Sequence, residues 1–281
     1  PNPTDVARWA DRKGLACIEA ESVNAPGLVT QIAACRGELL VVIAFGQKIS
    51  RPVIDLFAKG AINVHASLLP KYRGAGPIHW VLLSGETETG ISIITLADRM
   101  DAGEILAQAA IPIEPEETAR SLHDKLAALS APVLLNTIDG IEAGTAVYRP
   151  QEDSQATYAP KLTKQHGYID WNKPASYVAG QIRALWPWPG AQAVYVSSQT
   201  GRSSRVTVKN ADAIACPDSD RRTCGVLNEQ LNVWCGKDAL RIRQLKPAGS
   251  DLMSFEAFAN GRASRPGDLF LPLDQVLKGV R

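Results

Sequence analysis

Leu39-Leu40-Val41-Val42-Ile43-Ala44 is an unbroken apolar run, and runs of roughly four to eight such residues between turn signals describe a strand buried on both faces. A strand with one wet face would alternate, and this one does not. The run predicts a central parallel strand with helices above and below it, the α/β layer arrangement. The flanking sequence agrees. Thr4 is placed to cap a helix running to Lys13, and Leu28 to Arg36 reads as a second helix. A helix over Arg51 to Phe57 leads through Gly60 into the strand Ala61-Ile62-Asn63-Val64-His65, and another helix follows Pro77. Ile91 to Leu96 reads as a strand, Asp98 to Gly103 as a turn, and a further strand ends at Pro112. Leu122, Leu126, Leu129 and Val133 then recur at helical spacing behind Glu116 and Glu117, acidic residues suited to the positive end of a helix dipole.

Past Gly144 the periodicity fades through TAVYRPQEDSQATYAPKL, which reads as an extended linker. This divides the chain into 1–146, a linker over 147–166, and 167–281. The last part has one helix from Ala175 to Leu185, the rigid turn Trp186-Pro187-Trp188-Pro189-Gly190, and short strand-like runs at Ala193 to Val196, Arg205 to Lys209, Leu231 to Cys235 and Ala239 to Leu245. Spacing of this kind allows a barrel. Trp186 and Trp188 read as packing residues of that domain; an exposed indole there would instead stack on a nucleic-acid base.

With 281 residues, 45% hydrophobic and 21% charged, the chain has room for two domains with substantial cores. No apolar run approaches the roughly 20 residues of a membrane-spanning helix, and the opening lacks a signal-peptide pattern, so the chain reads as soluble and cytoplasmic. Cys17, Cys35, Cys216, Cys224 and Cys235 are odd in number and form no C-x-x-C pair, which favours buried thiols over disulfides or zinc. Residues 1–166 carry 15 Lys and Arg against 19 Asp and Glu, and residues 167–281 carry 15 against 10. A positive excess on the second part favours a polyanionic partner, although ordinary solvated surfaces show as much.

Asn63 and His65 lie two apart on one strand and so share a face, and Asp101 stands in the turn after another strand. An amide donates to a developing oxyanion, an imidazole moves a proton near neutral pH, and a carboxylate orients that imidazole. Acyl transfer to an amine needs these three capabilities. The same residues would also serve as ordinary satisfied polar groups at a strand end and a turn. No G-x-S-x-G elbow, cysteine nucleophile context or P-loop points to a covalent acyl-enzyme or to phosphoryl transfer. His79, His123 and His166 lack metal-ligand spacing and read as structural.

The segment Asn63-Val64-His65-Ala66-Ser67-Leu68-Leu69-Pro70-Lys71-Tyr72-Arg73-Gly74 resembles the signature of folate-dependent formyltransferases, an N-x-H pair, an S-L-L-P loop and an aromatic-R-G turn. Gly76-Pro77-Ile78, Glu88-Thr89-Gly90-Ile91-Ser92 and Asp101-Ala102-Gly103-Glu104 follow at the family's spacing. The resemblance implies a Rossmann-like, mostly parallel sheet for the catalytic domain and 10-formyltetrahydrofolate as co-substrate, with no metal. It implies Asn63 and His65 at the formyl group, Asp101 paired with His65, and Ser67, Leu68, Leu69 and Pro70 in a folate-contacting loop. Ala44, Phe45, Gly46 and Gln47 resemble the segment lining the pterin pocket, and Arg73 would either bind substrate or anchor the loop.

Tyr158-Ala159-Pro160-Lys161-Leu162, Ile169-Asp170-Trp171, the Trp-Pro-Trp-Pro-Gly turn and Leu245-Lys246-Pro247-Ala248-Gly249 extend the resemblance to the branch of that family acting on initiator methionyl-tRNA in translation initiation. That branch implies a monomer with a small, OB-like β-barrel that helps hold the tRNA, for which Arg202, Arg205, Lys209, Arg241 and Arg243 are candidate contacts. Members begin with a strand, a glycine turn, a helix and a basic loop, and this sequence reads as a fragment starting after them. The alternatives are a formyltransferase for a small amine such as an amino-sugar nucleotide, and a non-catalytic folate- or RNA-binding module.

Overall fold

The computed structural model describes residues 3–216 and 223–278. The first part begins with helices α1 (Asp5–Arg12) and α2 (Pro26–Ala34), strand β1 (Leu40–Ile43), the single turn α3 (Arg51–Ile54) and strand β2 (Ala61–His65). Helix α4 (Pro77–Leu83), strands β3 (Glu88–Thr95) and β4 (Ile105–Pro112), and the long helix α5 (Ala119–Glu142) complete it. Thr4 caps α1 as expected, its hydroxyl accepting from the Ala7 N–H at 3.1 Å. Thr118 and Ser121 close a capping box that starts α5. Leu122 and Leu126 of α5 are fully buried against Ile62, Val81, Ile91 and Ile93, each contributing roughly 2 kcal/mol relative to exposure.

The sheet order is β1-β2-β3-β4, with β1 and β2 parallel and the β2–β3 and β3–β4 pairs antiparallel. The α/β class is as expected, but the sheet is mixed where a mostly parallel one was predicted. Residues 96–104 between β3 and β4 are too few for a crossover, and a connection that short joins strands only antiparallel. Among the described residues β1 pairs with β2, and its own residues are half-buried or exposed.

The second part holds α6 (Ala175–Leu185), β5 (Ala191–Val196), β6 (Ser203–Ile214), β7 (Val233–Trp234), β8 (Ala239–Pro247), β9 (Met253–Ser254), α7 (Phe255–Arg262), β10 (Leu269–Pro272) and α8 (Leu273–Lys278). All its strand pairs are antiparallel, in the order β10-β5-β6-β8-β7, with β9 beside β8. Val226 bridges Leu269 of β10 while Leu227 bridges Val233 of β7, so two residues link the first strand to the last and the sheet curls into a nearly closed barrel. Closure removes open edges. α6 and α7 send Val178, Ile182, Phe255 and Phe258 into the same core as Tyr195 and Phe270.

The two parts meet where Leu162, Ala184 and Leu185 pack against Trp80, Leu82 and Leu83. His79 Nδ1 lies 2.7 Å from the Ala184 carbonyl, and the Trp80 indole donates to the Pro160 carbonyl at 2.8 Å. His79 therefore has a structural partner across this contact.

Candidate active site

Because β1 and β2 are parallel and Ile43 aligns with Val64, both strands open at the same end of the sheet. Ligands of open α/β sheets bind outside such carboxyl ends. From β1 emerges the segment Ala44 to Gln47, with Ala44 left-handed at φ 48°. Phe45 beside it is 45% exposed and Ile43 55% exposed. Gln47 is occupied internally, accepting from the Val23 N–H and donating to the Glu21 carbonyl, both at 3.0 Å. Ile43 and Phe45 thus leave apolar and aromatic surface exposed at this end of the sheet.

Asn63 and His65 follow on β2, opposite Ile94 and Ser92 of β3. Asn63 is half-buried, and none of the hydrogen bonds among the described residues involves its side-chain amide. His65 is buried; its Nε2 lies 2.9 Å from the Tyr72 carbonyl. A carbonyl only accepts, so Nε2 carries the hydrogen. Nδ1 is then the nitrogen free to take or release a proton, and Asp101 Oδ2 stands 3.6 Å from it. The same Oδ2 accepts from the Gly74 N–H at 2.8 Å. His65 and Asp101 are therefore neighbours at ion-pair range, too far apart for a close hydrogen bond.

Asp101 and Tyr72 both adopt left-handed backbone, at φ 52° and 62°, costing on the order of 1 kcal/mol each for non-glycine residues. Conformations of this kind persist where surroundings over-determine them. Gly103 shows how tight the Asp101 turn is: a Cβ there would lie 1.8 Å from the Thr95 carbonyl oxygen. Gly74 meets the same limit on the other side, at φ 120° with a Cβ position 2.7 Å from the Ala159 oxygen.

Ser67 to Pro70 form a loop pinned from beneath. The Ser92 hydroxyl donates to the Ser67 carbonyl at 2.7 Å and accepts from the Leu69 N–H at 3.0 Å and from Gln108 Nε2 at 2.8 Å. The Ser67 side chain is fully buried and donates to the Lys71 carbonyl, while Leu69 packs with Ile94 and Ile105. Of the four loop residues expected at folate, Leu68 and Pro70 alone keep partly accessible side chains. Ser67 and Leu69 shape the loop from inside it.

The stretch 147–166 departs most from expectation. It straps the site instead of spanning free space. The Arg73 N–H donates to the Thr157 carbonyl, the Ala159 N–H to the Arg73 carbonyl and the Gly76 N–H to the Ala159 carbonyl. Arg73 is 2% exposed and its guanidinium donates to Gln151 Oε1 at 3.0 and 2.7 Å and to Asp153 at 2.9 Å. Gln151 Nε2 in turn donates to the carbonyls of Asp101 and Gly103, both at 2.7 Å. Arg73 is an anchor of the loop, the second of the two roles open to it. Gln151 and Thr157 went unseen in the sequence because a single extended strap has no periodicity and few apolar residues.

Among the described residues no group of three or more His, Cys, Asp or Glu is arranged to hold a metal ion, and none of the helices is long and apolar enough to cross a membrane. In the barrel Arg202, Arg205, Arg241 and Arg243 are exposed. Arg243 pairs with Asp212, Arg205 donates to Gln192, and Lys209 lies over the Trp186 ring. Trp188 is 50% exposed, so of the two indoles expected to pack this part it does so only in half.

This architecture coincides with known formyl-transfer enzymes along its length. Residues 2–138 match the family described as formyl transferase, and residues 161–263 match the formyl transferase C-terminal domain. The chain belongs to the methionyl-tRNA formyltransferase family. It is 38% identical to the methionyl-tRNA formyltransferase of Trichlorobacter lovleyi over 96% of this chain and 84% of that protein. The enzyme of Solibacter usitatus is 39% identical over 93% of this chain and 82% of its own. Among solved structures, the N-formyltransferase of Helicobacter canadensis in complex with folinic acid and dTDP-3-aminofucose superposes with a TM-score of 0.59 at 16% identity. It covers 84% of this chain and 82% of its own, a likeness of fold.

Proposed function

We propose that the chain transfers the formyl group of 10-formyltetrahydrofolate to the amino group of initiator methionyl-tRNA, with residues 1–146 catalytic, 147–166 connecting and 167–281 holding the tRNA. The observation that carries this reading is the meeting of His65, Asp101 and an uncommitted Asn63 amide at the strand ends, in a chain that shares both parts of its length with methionyl-tRNA formyltransferases. The donor suits what lies there. The exposed faces of Ile43 and Phe45 offer an apolar wall to a pterin ring, and the Ser67 to Pro70 loop offers backbone groups and the Leu68 side chain.

The donor, when bound, supplies an activated formyl carbon. Asn63 would donate to the formyl oxygen as charge develops on it; losing one such donor typically costs about 3 kcal/mol of barrier. His65 Nδ1 would accept the proton of the attacking amine and pass a proton to the departing nitrogen, with Asp101 holding the ring's charge. The strap and the Ser92 hub keep these groups in register, and misplacement of about 1 Å costs as much as 10²-fold in rate. Exposed arginines of the barrel would meet tRNA phosphates, supplying affinity without reading sequence. A monomer in the cytoplasm, where tRNAs are charged, accords with this role.

Transfer of labelled formyl from 10-formyltetrahydrofolate to methionyl initiator tRNA tests the reading, beside Asn63→Ala and beside a free amino sugar nucleotide as acceptor. Formylated tRNA, reduced at least about 100-fold by the substitution, is the expected result. Turnover on the amino sugar alone would overturn the acceptor, and no turnover on either would overturn the enzyme.

A further inference from the structure

Asp101 holds an unfavoured backbone conformation at the point where its carboxylate must face His65. Two contacts act on it directly. The Gly74 N–H binds the carboxylate from one side. On the other, Gln151 Nε2 binds the backbone carbonyls of Asp101 and Gly103, gripping both ends of the tight turn with one amide. The amide can point its nitrogen only that way, because its oxygen is taken by two donors of the buried Arg73 guanidinium. Arg73 is fixed in turn by Asp153, which also pairs with Arg99 in the first part of the same turn.

We infer that Gln151 is a positioning residue for formyl transfer: it holds Asp101 against His65 and ties that geometry to the strap leading toward the barrel. The inference rests on the proposed reaction, in which Asp101 works through His65. Gln151 itself touches neither reacting atom.

Gln151→Glu separates positioning from mere filling. The glutamate keeps an oxygen for Arg73, now charged and more strongly bound, and presents its second oxygen to two carbonyls that it repels. Arg73 stays satisfied while the grip on the turn is lost. Steady-state formylation by the full chain should show kcat reduced between about ten- and a hundredfold and KM for donor and tRNA within about twofold of wild type, with a melting temperature lowered by a few degrees, about what two carbonyls without their donor cost. Hydrogen exchange of the Gly74 amide, protected by Asp101 Oδ2, should accelerate at least about tenfold; it reads the carboxylate's position without turnover. Gln151→Met, which also strips the buried Arg73 of its acceptor, should lower the melting temperature further.

Wild-type kcat and wild-type Gly74 protection in a folded Gln151→Glu protein would overturn the inference. So would KM values for donor and tRNA that rise in step with the loss of kcat, which marks a purely structural residue. If the unsubstituted chain formylates nothing, the proposed function falls by itself, and slow Gly74 exchange in the variant would sink the positioning role independently.

Discussion

Two hydroxyls on β3 should respond to removal with opposite signs. Ser92 and Thr89 are both almost fully buried, three positions apart on one strand. The Ser92 hydroxyl makes three hydrogen bonds, to the Ser67 carbonyl, the Leu69 N–H and the Gln108 amide. Ser92→Ala strands the first two, because Gln108 keeps its 3.0 Å bond to the Leu69 carbonyl. A buried backbone group left without a partner costs about 1–3 kcal/mol, so the two together should destabilise the protein by about 3 kcal/mol after local relaxation. Thr89 Oγ1 has no hydrogen-bond partner, so Thr89→Val, of equal shape, removes a desolvated hydroxyl and should be neutral or stabilising by up to about 1 kcal/mol. Equilibrium urea unfolding measures both differences, and thermal unfolding should place the Ser92 variant about 6–12 °C lower. A Ser92→Ala protein within about 1 kcal/mol of wild type, or two variants shifting alike, would refute the claim that this hydroxyl pins the loop.

Three further outcomes follow from the geometry. Gly103→Ala must displace the Thr95 carbonyl that its Cβ would meet at 1.8 Å, costing at least about 2 kcal/mol; an unchanged unfolding midpoint would show that the turn yields freely. Burial of Asp268 opposes its ionisation, yet hydrogen bonds from Tyr195, from the N–H and hydroxyl of Ser198 and from the Arg265 N–H outweigh that and hold the carboxyl below the usual carboxylate range. A carboxyl depressed in the folded state gives stability that is complete above its unfolded value, about pH 4, and lost as pH falls through the lower folded value. Asp268→Asn should therefore lower the melting temperature near neutrality and flatten its decline at acid pH, and an equally steep acid decline would count against the assignment. Affinity for charged tRNA should fall roughly tenfold or more between about 50 and 200 mM salt if two or three barrel arginines meet phosphates, while KM for the folate donor stays level; a flat tRNA response would dismiss the electrostatic role.

Where one local rule decides an element, its sequence was sufficient. α6 begins and ends at the residues its pattern marks, β2 likewise, and Thr4 caps α1. Where the deciding partner is distant, the pattern was silent. Neither β3 nor β4 declares its direction; the length of the connection between them does. The candidate site divides the same way. Period two put Asn63 and His65 on one face, and the turn placed Asp101; the grip of Gln151 on that turn spans 50 residues of chain and leaves no spacing to notice. Ser67 and Leu69 stand in a motif whose accessible and buried members alternate, a distinction that only packing makes.

The strap also decides how this fold can be cut. Severing the chain where α5 ends, after Glu142, would strip Arg73 of Gln151 and Asp153 and leave a buried guanidinium uncompensated, a loss of several kcal/mol. Severing it past Leu162 would keep every one of those partners, uncover the Trp80, Leu82, Leu83 and Leu162 surface that Ala184 and Leu185 cover, and take the Ala184 carbonyl from His79. The seam at which a different second domain could be grafted therefore runs after the strap, and a first part that keeps residues 147–162 should be the more stable of the two pieces.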